Sequence, residues 1–285
     1  MKNSNSKQWS SATPGYIIFL IDQSGSMQET CIENKNKAEF TALVINRTIN
    51  ELIFTNMDGD NVKDRVFISL IGYGGKGGNS VDDIRSDYIS SFADQPIRID
   101  YLKKKVSDGA GGLVEIDDEM PIFIEPVSNG LTPMGDAFAF AKLLIEGWLQ
   151  KKPENPAPVI INVSDGLPFG GALEDQKSKS LYVAGEIMTI NTNDGNPLIF
   201  NIHIGNGNTK EYAFIDNENE ITDDQSKFLF KISSKIPEAY KIAALKHDFT
   251  VKEDSRGFVS NAQPETLIRF INFGSSGGSG ADLVK

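Results

Sequence analysis

The sequence predicts an α/β fold: a doubly wound, mostly parallel central sheet flanked by helices, with one short antiparallel edge strand. Three apolar runs, residues 16–21, 158–163 and 198–203, have strand length and the continuous hydrophobicity of strands buried on both faces. Segments with apolar residues at helical spacing separate these runs, as crossover helices do in a parallel sheet. The length of 285 residues suits one large domain with insertions, or one domain plus a small appendage.

The first part of the chain is expected to form two strands joined by a long helix. After the strand at 16–21, apolar residues recur at helical spacing from Ala38 to Leu52 and predict one buried helix face. The turn signal at residues 57–60 should end that helix, and the run 66–71 is the second strand.

Residues 72–127 are predicted to be an elaboration of the domain. They contain glycine-rich stretches at 74–78 and 109–112, which are typical of loops, and an apolar stretch at 121–126 that fits a short edge strand. Because this segment leads directly into residues 130–136, we expect it near the same edge of the sheet.

The second half is expected to alternate strands and helices. Apolar periodicity from Ala137 to Trp148 predicts a helix that stops at Lys152 and Pro153. Weaker patterns of the same kind indicate further helices at roughly 172–191, 228–232, 238–247 and 264–272.

Composition limits the partners and the location. We expect a flexible N-terminus at 1–13, a single domain at 14–273 and a flexible Gly/Ser-rich tail at 274–285. A formal charge of −11 argues against binding to nucleic acid or to an anionic membrane surface, because both need a basic face. The N-terminus lacks the apolar core of a signal peptide, and no apolar run is long enough to span a bilayer, so a cytoplasmic location is expected. The single cysteine, Cys31, excludes an internal disulfide framework.

The most informative motif is Asp-x-Ser-x-Ser directly after the first strand. Asp22, Ser24 and Ser26 present one carboxylate and two hydroxyls, which are hard oxygen donors. Such donors suit Mg²⁺ or Mn²⁺ better than zinc or copper, which favour sulfur or imidazole ligands.

Two further motifs lie downstream in comparable positions. Residues 130–136, GLTPMGD, form a loop before a helix, and residues 159–166, VIINVSDG, form a strand that ends in an aspartate. Because the carboxyl ends of parallel strands share one edge of the sheet, we expect the side chains of these loops to meet there. The candidate metal-binding residues are Asp22, Ser24, Ser26, Thr132 and Asp165.

These motifs, in this order, resemble the von Willebrand factor A domain with its metal-ion-dependent adhesion site, over roughly residues 14–273. The resemblance implies a Rossmann-like fold in which Ser24, Ser26 and Thr132 bind the ion directly, while Asp22 and Asp165 act directly or through water. It implies Mg²⁺ as the ion, with Mn²⁺ or Ca²⁺ as alternatives. An Asp or Glu of a partner protein would complete the coordination.

Within that family, residues 130–135 and 163–168 are similar to the intracellular bacterial branch, which includes tellurite-resistance-associated members. Residues 230–237 and 255–262 are similar to the same branch, and the chain is similar to bacterial members that accompany Ser/Thr kinases and PP2C-type phosphatases. This resemblance implies an adaptor or scaffold in a bacterial signalling or stress-response system. The chain departs from the family pattern in the long 72–127 elaboration and in Gln23, and neither departure removes a ligand.

Two other functions are considered. Residues 72–77 match G-x-G-x-x-G, but no apolar-periodic helix follows to bind a pyrophosphate, so a loop is the better interpretation. A metal-dependent hydrolase or phosphatase could use the same ion as a Lewis acid. However, Ser24 stands where an aspartyl-phosphate enzyme needs a second carboxylate, and the two histidines, His203 and His247, give little support for acyl transfer. We therefore expect a binding module and not an enzyme.

Overall fold

The computed structural model describes residues 5–31, 34–107, 112–170, 173–205, 210–262 and 264–275. In chain order its strands are β1 (Gly15–Asp22), β2 (Met57–Asp58), β3 (Asn61–Val62), β4 (Val66–Tyr73), β5 (Val81–Tyr88), β6 (Arg98–Ser107), β7 (Leu113–Ile122), β8 (Val159–Ser164), β9 (Leu198–His203), β10 (Tyr212–Ala213) and β11 (Phe258–Ser260). Its helices are α1 (Lys37–Thr55), α2 (Ile89–Asp94), α3 (Met134–Lys151), α4 (Leu173–Ile187), α5 (Asp224–Lys231), α6 (Glu238–Lys246) and α7 (Pro264–Ser275).

The main sheet, as far as the chain is described, has seven strands in the order β10-β11-β9-β8-β1-β4-β5. The five strands from β11 to β4 are parallel, and the two edge strands, β5 and β10, are antiparallel to their neighbours. The predicted α/β fold with a mostly parallel, helix-flanked sheet is confirmed. The edge strand predicted at 121–126 is not part of this sheet. Instead, β7 ends at Ile122 and pairs with β6 in a separate hairpin.

Alternate residues of β1 build the core on the two faces of the sheet. Ile17, Phe19 and Ile21 pack in an apolar cluster with α1 and α7, while Ile18 and Leu20 pack in a second cluster with α3, α4 and α5. Every residue of β1 is buried. This two-sided burial explains why the run is continuously apolar.

The predicted helices are present, with bounds that differ by a few residues. The α1 helix begins after Asn36, whose side chain accepts a hydrogen bond from the Glu39 amide while the Glu39 carboxylate accepts one from the Asn36 amide. This reciprocal cap satisfies amides that have no partner within the helix. Helix α1 therefore starts at a defined residue.

The elaboration at 72–127 forms β5, α2 and the β6–β7 hairpin. Its glycine-rich loop after β4 contacts the loop before α3: Leu131 N donates to Gly78 O at 3.0 Å. Gly74 has φ +91°, and a Cβ there would lie 2.1 Å from Leu131 O, so the close approach requires glycine. No helix follows the G-x-G-x-x-G segment in the structure; β5 does. Residues 108–111 of the second glycine-rich stretch lie outside the described residues.

The N-terminal segment, expected to be flexible, makes specific contacts in its described part. Asn5 is buried and its side chain donates to Asn196 O at 2.8 Å, while the Ser6 and Lys7 amides donate to Asp194 Oδ1. Trp9 packs against the core cluster that contains α1 and α7. These contacts join residues 5–9 to the domain. Residues 1–4 and 276–285, including most of the predicted tail, lie outside the described residues.

Across the described ranges, no helix combines the length and the apolar character that crossing a membrane requires.

We predict that Asn46→Ala destabilises the fold by about 3 kcal/mol, measured by urea denaturation. The buried Asn46 amide accepts from Phe123 N and Ile124 N at 2.8 and 3.0 Å and donates to Ile124 O at 3.1 Å. The substitution leaves these backbone groups, which join the elaboration to α1, without partners in the interior. The exposed Asn219→Ala serves as the control and should change stability by less than about 0.5 kcal/mol. Equal effects of the two substitutions would contradict this account.

Candidate metal centre

The candidate residues come from three loops at one edge of the sheet. Asp22 is the last residue of β1, and Asp165 follows the last residue of the adjacent parallel strand β8. Gly25 N, between the two serines, donates to Gly130 O at 3.0 Å and so joins the first loop to the loop that carries Thr132. The parallel register of the strands thus brings the three sequence motifs to one place.

Hydrogen bonds connect four of the five candidate residues. Ser26 Oγ donates to Asp165 Oδ1 at 2.9 Å, and Ser24 Oγ lies 3.1 Å from Ser26 Oγ. Because the Ser26 proton is directed to the carboxylate, Ser24 is the donor to Ser26. Asp22 Oδ1 accepts from Ser24 N at 2.9 Å, and Ser164 Oγ donates to Asp22 Oδ2 at 2.6 Å.

A cavity of about 630 Å³ opens at this edge. Ser24, Ser26, Thr132 and Asp165 line it, whereas Asp22 is only 1% exposed and lies beneath Ser24. The Thr132 backbone pairs with Phe169, its N–H donating at 2.6 Å and its carbonyl accepting at 2.9 Å. The hydroxyl and carboxylate residues therefore face a shared space, and Asp22 supports them from the interior.

The oxygen positions fit a small, hard cation. Ligands at the roughly 2.1 Å distance of Mg²⁺ lie about 3.0 Å apart along an octahedral edge. The Ser24–Ser26 and Ser26–Asp165 oxygen separations of 3.1 and 2.9 Å, which are also ordinary hydrogen-bond distances, are compatible with that spacing. Within the described part of the chain, no group of three or more His, Cys, Asp or Glu side chains could hold a metal ion. A centre here would therefore depend on neutral hydroxyl oxygens as well as carboxylates.

The charges at this edge are close together and poorly solvated. Burial, with a further contribution from Asp165, raises the pKa of Asp22 above its usual range. The ammonium of Lys37 lies 2.8 Å from Asp165 Oδ2 and 2.7 Å from Glu29 Oε2. Burial opposes its charge, but the hydrogen bonds with Asp165 and Glu29 outweigh burial and raise the pKa of Lys37.

His203 lies at the site, although the sequence analysis did not include it in the candidate centre. It ends β9 and lines the cavity, and its Nε2 lies 3.2 Å from the carbonyl of Asp165. Because a carbonyl only accepts, Nε2 carries the proton, and Nδ1 accepts from Ser260 or Ser226 at 2.8 and 3.0 Å. Burial lowers the pKa of His203. The neutral ring therefore holds the backbone of Asp165, and its position at a strand end was the signal available in the sequence.

Lys37, Glu29 and Phe169 also line the cavity, and the sequence analysis did not select them. The sequence between Glu29 and Lys37 contains no recognisable motif. Phe169, which is 49% exposed, lies in an irregular loop after β8. No residue pattern along the chain distinguishes these three from ordinary loop residues.

Comparisons with known proteins leave the family open. No family model and no curated protein matches the chain. Among solved structures, it is similar to the pilus adhesin SpaC from Lactobacillus rhamnosus GG, at 12% identity over 93% of this chain and 30% of that one, with a TM-score of 0.49. It is also similar to the PilB minor pilin from Streptococcus sanguinis, at 10% identity over 91% of this chain and 60% of that one, with a TM-score of 0.46.

The vWF domain of the type V pili tip protein Mfa5 from Porphyromonas gingivalis is also similar, at 15% identity over 55% of this chain and 39% of that one, with a TM-score of 0.32. This chain spans less than two thirds of the length of each of these three proteins. At such low identities and TM-scores, these similarities carry no conclusion about function.

We predict that Asp22→Asn makes the metal-free protein more stable at pH 7, by on the order of 1 kcal/mol in thermal or urea unfolding. A carboxyl whose pKa is raised in the folded state is penalised when it is charged, so removing the charge removes the penalty. The amide has the same shape as the carboxylate. Its oxygen can accept a hydrogen bond from Ser24 N, and its nitrogen can donate one to Ser164 Oγ.

The control is Asp194→Asn. That buried carboxylate accepts backbone N–H bonds on both oxygens, from Ser6, Lys7 and Ala157, and an amide nitrogen cannot accept them. Asp194→Asn should therefore destabilise the protein. Destabilisation by both substitutions would contradict the electrostatic account of Asp22.

Proposed function

We propose that this chain is a protein-binding module of von Willebrand A type that uses a divalent cation to bind an Asp or Glu side chain of a partner protein. The observation that carries this proposal is the cluster of Ser24, Ser26 and Asp165 oxygens at the carboxyl ends of the central strands, open to a cavity. We take the cation to be Mg²⁺, with Mn²⁺ or Ca²⁺ as alternatives.

Each residue of the cluster has a distinct role in this proposal. Ser24, Ser26 and Thr132 supply neutral oxygens, Asp165 supplies a charged one, and Asp22 positions the Ser24 backbone from below. When bound, the ion supplies a positive charge that attracts an external carboxylate. Because few of its ligands are charged, the ion keeps more of its positive charge for the partner. A protein of net charge −11 can therefore bind an acidic ligand.

The finer assignment rests on the motifs at residues 130–135 and 163–168. Their similarity to the intracellular bacterial branch supports an adaptor or scaffold in a cytoplasmic signalling or stress-response system. A Ser/Thr kinase or PP2C-type phosphatase is the proposed kind of partner. This setting is a proposal separate from the chemistry of the site.

We also propose that the module is not an enzyme. Both ring nitrogens of His203, the histidine at the cavity, already bond to Asp165 and to buried serines, so the ring is poorly placed as a general base. The alternative is a phosphatase that uses the same ion, and p-nitrophenyl phosphate with Mg²⁺ tests it. Turnover that is lost in Asp22→Asn would replace the binding proposal with a catalytic one.

We predict that Ser26→Ala weakens Mn²⁺ binding at least about tenfold, measured by isothermal titration calorimetry, because it removes an oxygen of the ligand set. Ser10→Ala, in the N-terminal segment and away from the cavity, is the control and should bind as the wild type does. Unchanged affinity in Ser26→Ala would refute the site.

The partner is tested by capture on immobilised protein, in Mg²⁺ and in EDTA, with the wild type and with Ser26→Ala. A partner retained only by the wild type in Mg²⁺ supports the proposal. A partner captured equally in all conditions would show that binding uses another surface.

A further inference from the structure

Lys37 is an internal cation at the candidate metal centre. It is the first residue of α1 and only 4% exposed. Its Nζ contacts Asp165 Oδ2 at 2.8 Å and Glu29 Oε2 at 2.7 Å, and its backbone N–H donates to Glu29 O at 3.0 Å. A charged side chain is thus held inside the protein beside the proposed ligands.

The requirements of the helix do not account for this residue. A cation in the first turn is unfavourable, because the amino end of a helix carries partial positive charge. The cap formed by Asn36 and Glu39 already satisfies the start of α1. A buried ion pair also adds little stability compared with apolar side chains of the same size. Since Lys37 conflicts with two ordinary preferences, a functional role is the better explanation.

The two oxygens of Asp165 have different partners. Oδ1 accepts from Ser26 within the oxygen cluster, while Oδ2 accepts from Lys37. An ion bound by Asp165 would share that carboxylate with the ammonium, and the two positive charges would repel each other. Any gain from metal binding is therefore reduced by the presence of Lys37.

Glu29 gives the ammonium a second partner. Its side chain is 58% exposed, and its Oε2 lies 2.7 Å from the Lys37 ammonium. If the hold on Asp165 weakens, the ammonium keeps one carboxylate and is not left buried and unpaired. The exchange between metal-free and metal-bound states then avoids a large desolvation cost.

We propose that Lys37 is a built-in counter-cation that competes with the divalent ion for Asp165 and so lowers the metal affinity of the site. This inference rests on the proposed function and adds a regulatory element to it. In the metal-free protein, Lys37 holds Asp165 in place and keeps the site formed. In the metal-bound protein, its competition for Asp165 leaves more of the ion's charge for a partner carboxylate.

The test is Mn²⁺ titration by calorimetry of the wild type, Lys37→Gln and Lys37→Met. Lys37→Gln keeps a polar side chain that can donate hydrogen bonds, Lys37→Met keeps an apolar one of similar length, and both lack the charge. We expect both variants to bind Mn²⁺ about tenfold more tightly than the wild type. Unchanged or weaker binding in both would overturn the proposal and leave Lys37 a purely structural role.

The matched control is Lys142→Met. The Lys142 ammonium is also ion-paired, with Glu186 at 2.9 Å and Glu146 at 3.7 Å, but it does not line the cavity. The same change of net charge outside the cavity should leave the affinity for Mn²⁺ unchanged. A similar gain in Lys142→Met would show a general effect of net charge and would overturn the specific role of Lys37.

A measurement on the wild type covers the case in which the neutral variants do not fold. Nitrogen-15 NMR of the lysine ammonium groups should show the Lys37 resonance shifting as Mg²⁺ is added, with Lys142 unaffected. A Lys37 resonance that does not change at saturating Mg²⁺ would overturn the proposal.

The outcomes also separate this inference from the proposed function. If the wild type binds no divalent ion but Lys37→Gln does, the counter-cation is supported and the proposed function of the natural chain fails. If the wild type binds and the variants bind equally, the proposed function stands and the inference fails. If none binds, both fail.

Discussion

The carboxylate of Asp22 organises the edge of the sheet on which the candidate centre depends. It ends the central strand β1, accepts from Ser24 N and accepts from Ser164 Oγ at the end of β8. A buried carboxylate needs such donors, so its two oxygens fix the path of the serine loop relative to the neighbouring strand. The positions of Ser24 and Ser26 follow from this anchor.

The same edge concentrates interactions that would be unfavourable elsewhere in a globular protein. Two carboxylates lie close enough for one to raise the pKa of the other, and a lysine is buried at the amino end of a helix. The surrounding core is conventional, with two apolar clusters on either side of continuously buried strands. Local conflict within a well-packed fold is the pattern expected where function constrains the residues.

Much of the architecture could be predicted because it depends on local patterns. Continuous apolar runs identified the strands β1, β4, β8 and β9, and helical spacing identified α1 and α3 to α7. The patterns failed at β5, which is charged and partly exposed, and at the β6–β7 hairpin, whose charged residues interrupt any apolar run. The short strand β11 was also missed, since its three residues become a strand through pairing with β9.

The sequence by itself determined the α/β fold class and the placement of five candidate residues at strand ends and loops on one edge of the sheet: Asp22, Ser24, Ser26, Thr132 and Asp165. It could do so because residue type and position at a strand end are properties of short segments. Only the tertiary structure decided that Asp22 lies beneath the cavity and that Lys37 and His203 contact Asp165. Those contacts join residues 128 and 38 positions apart along the chain, and no local pattern records which distant side chains folding brings together.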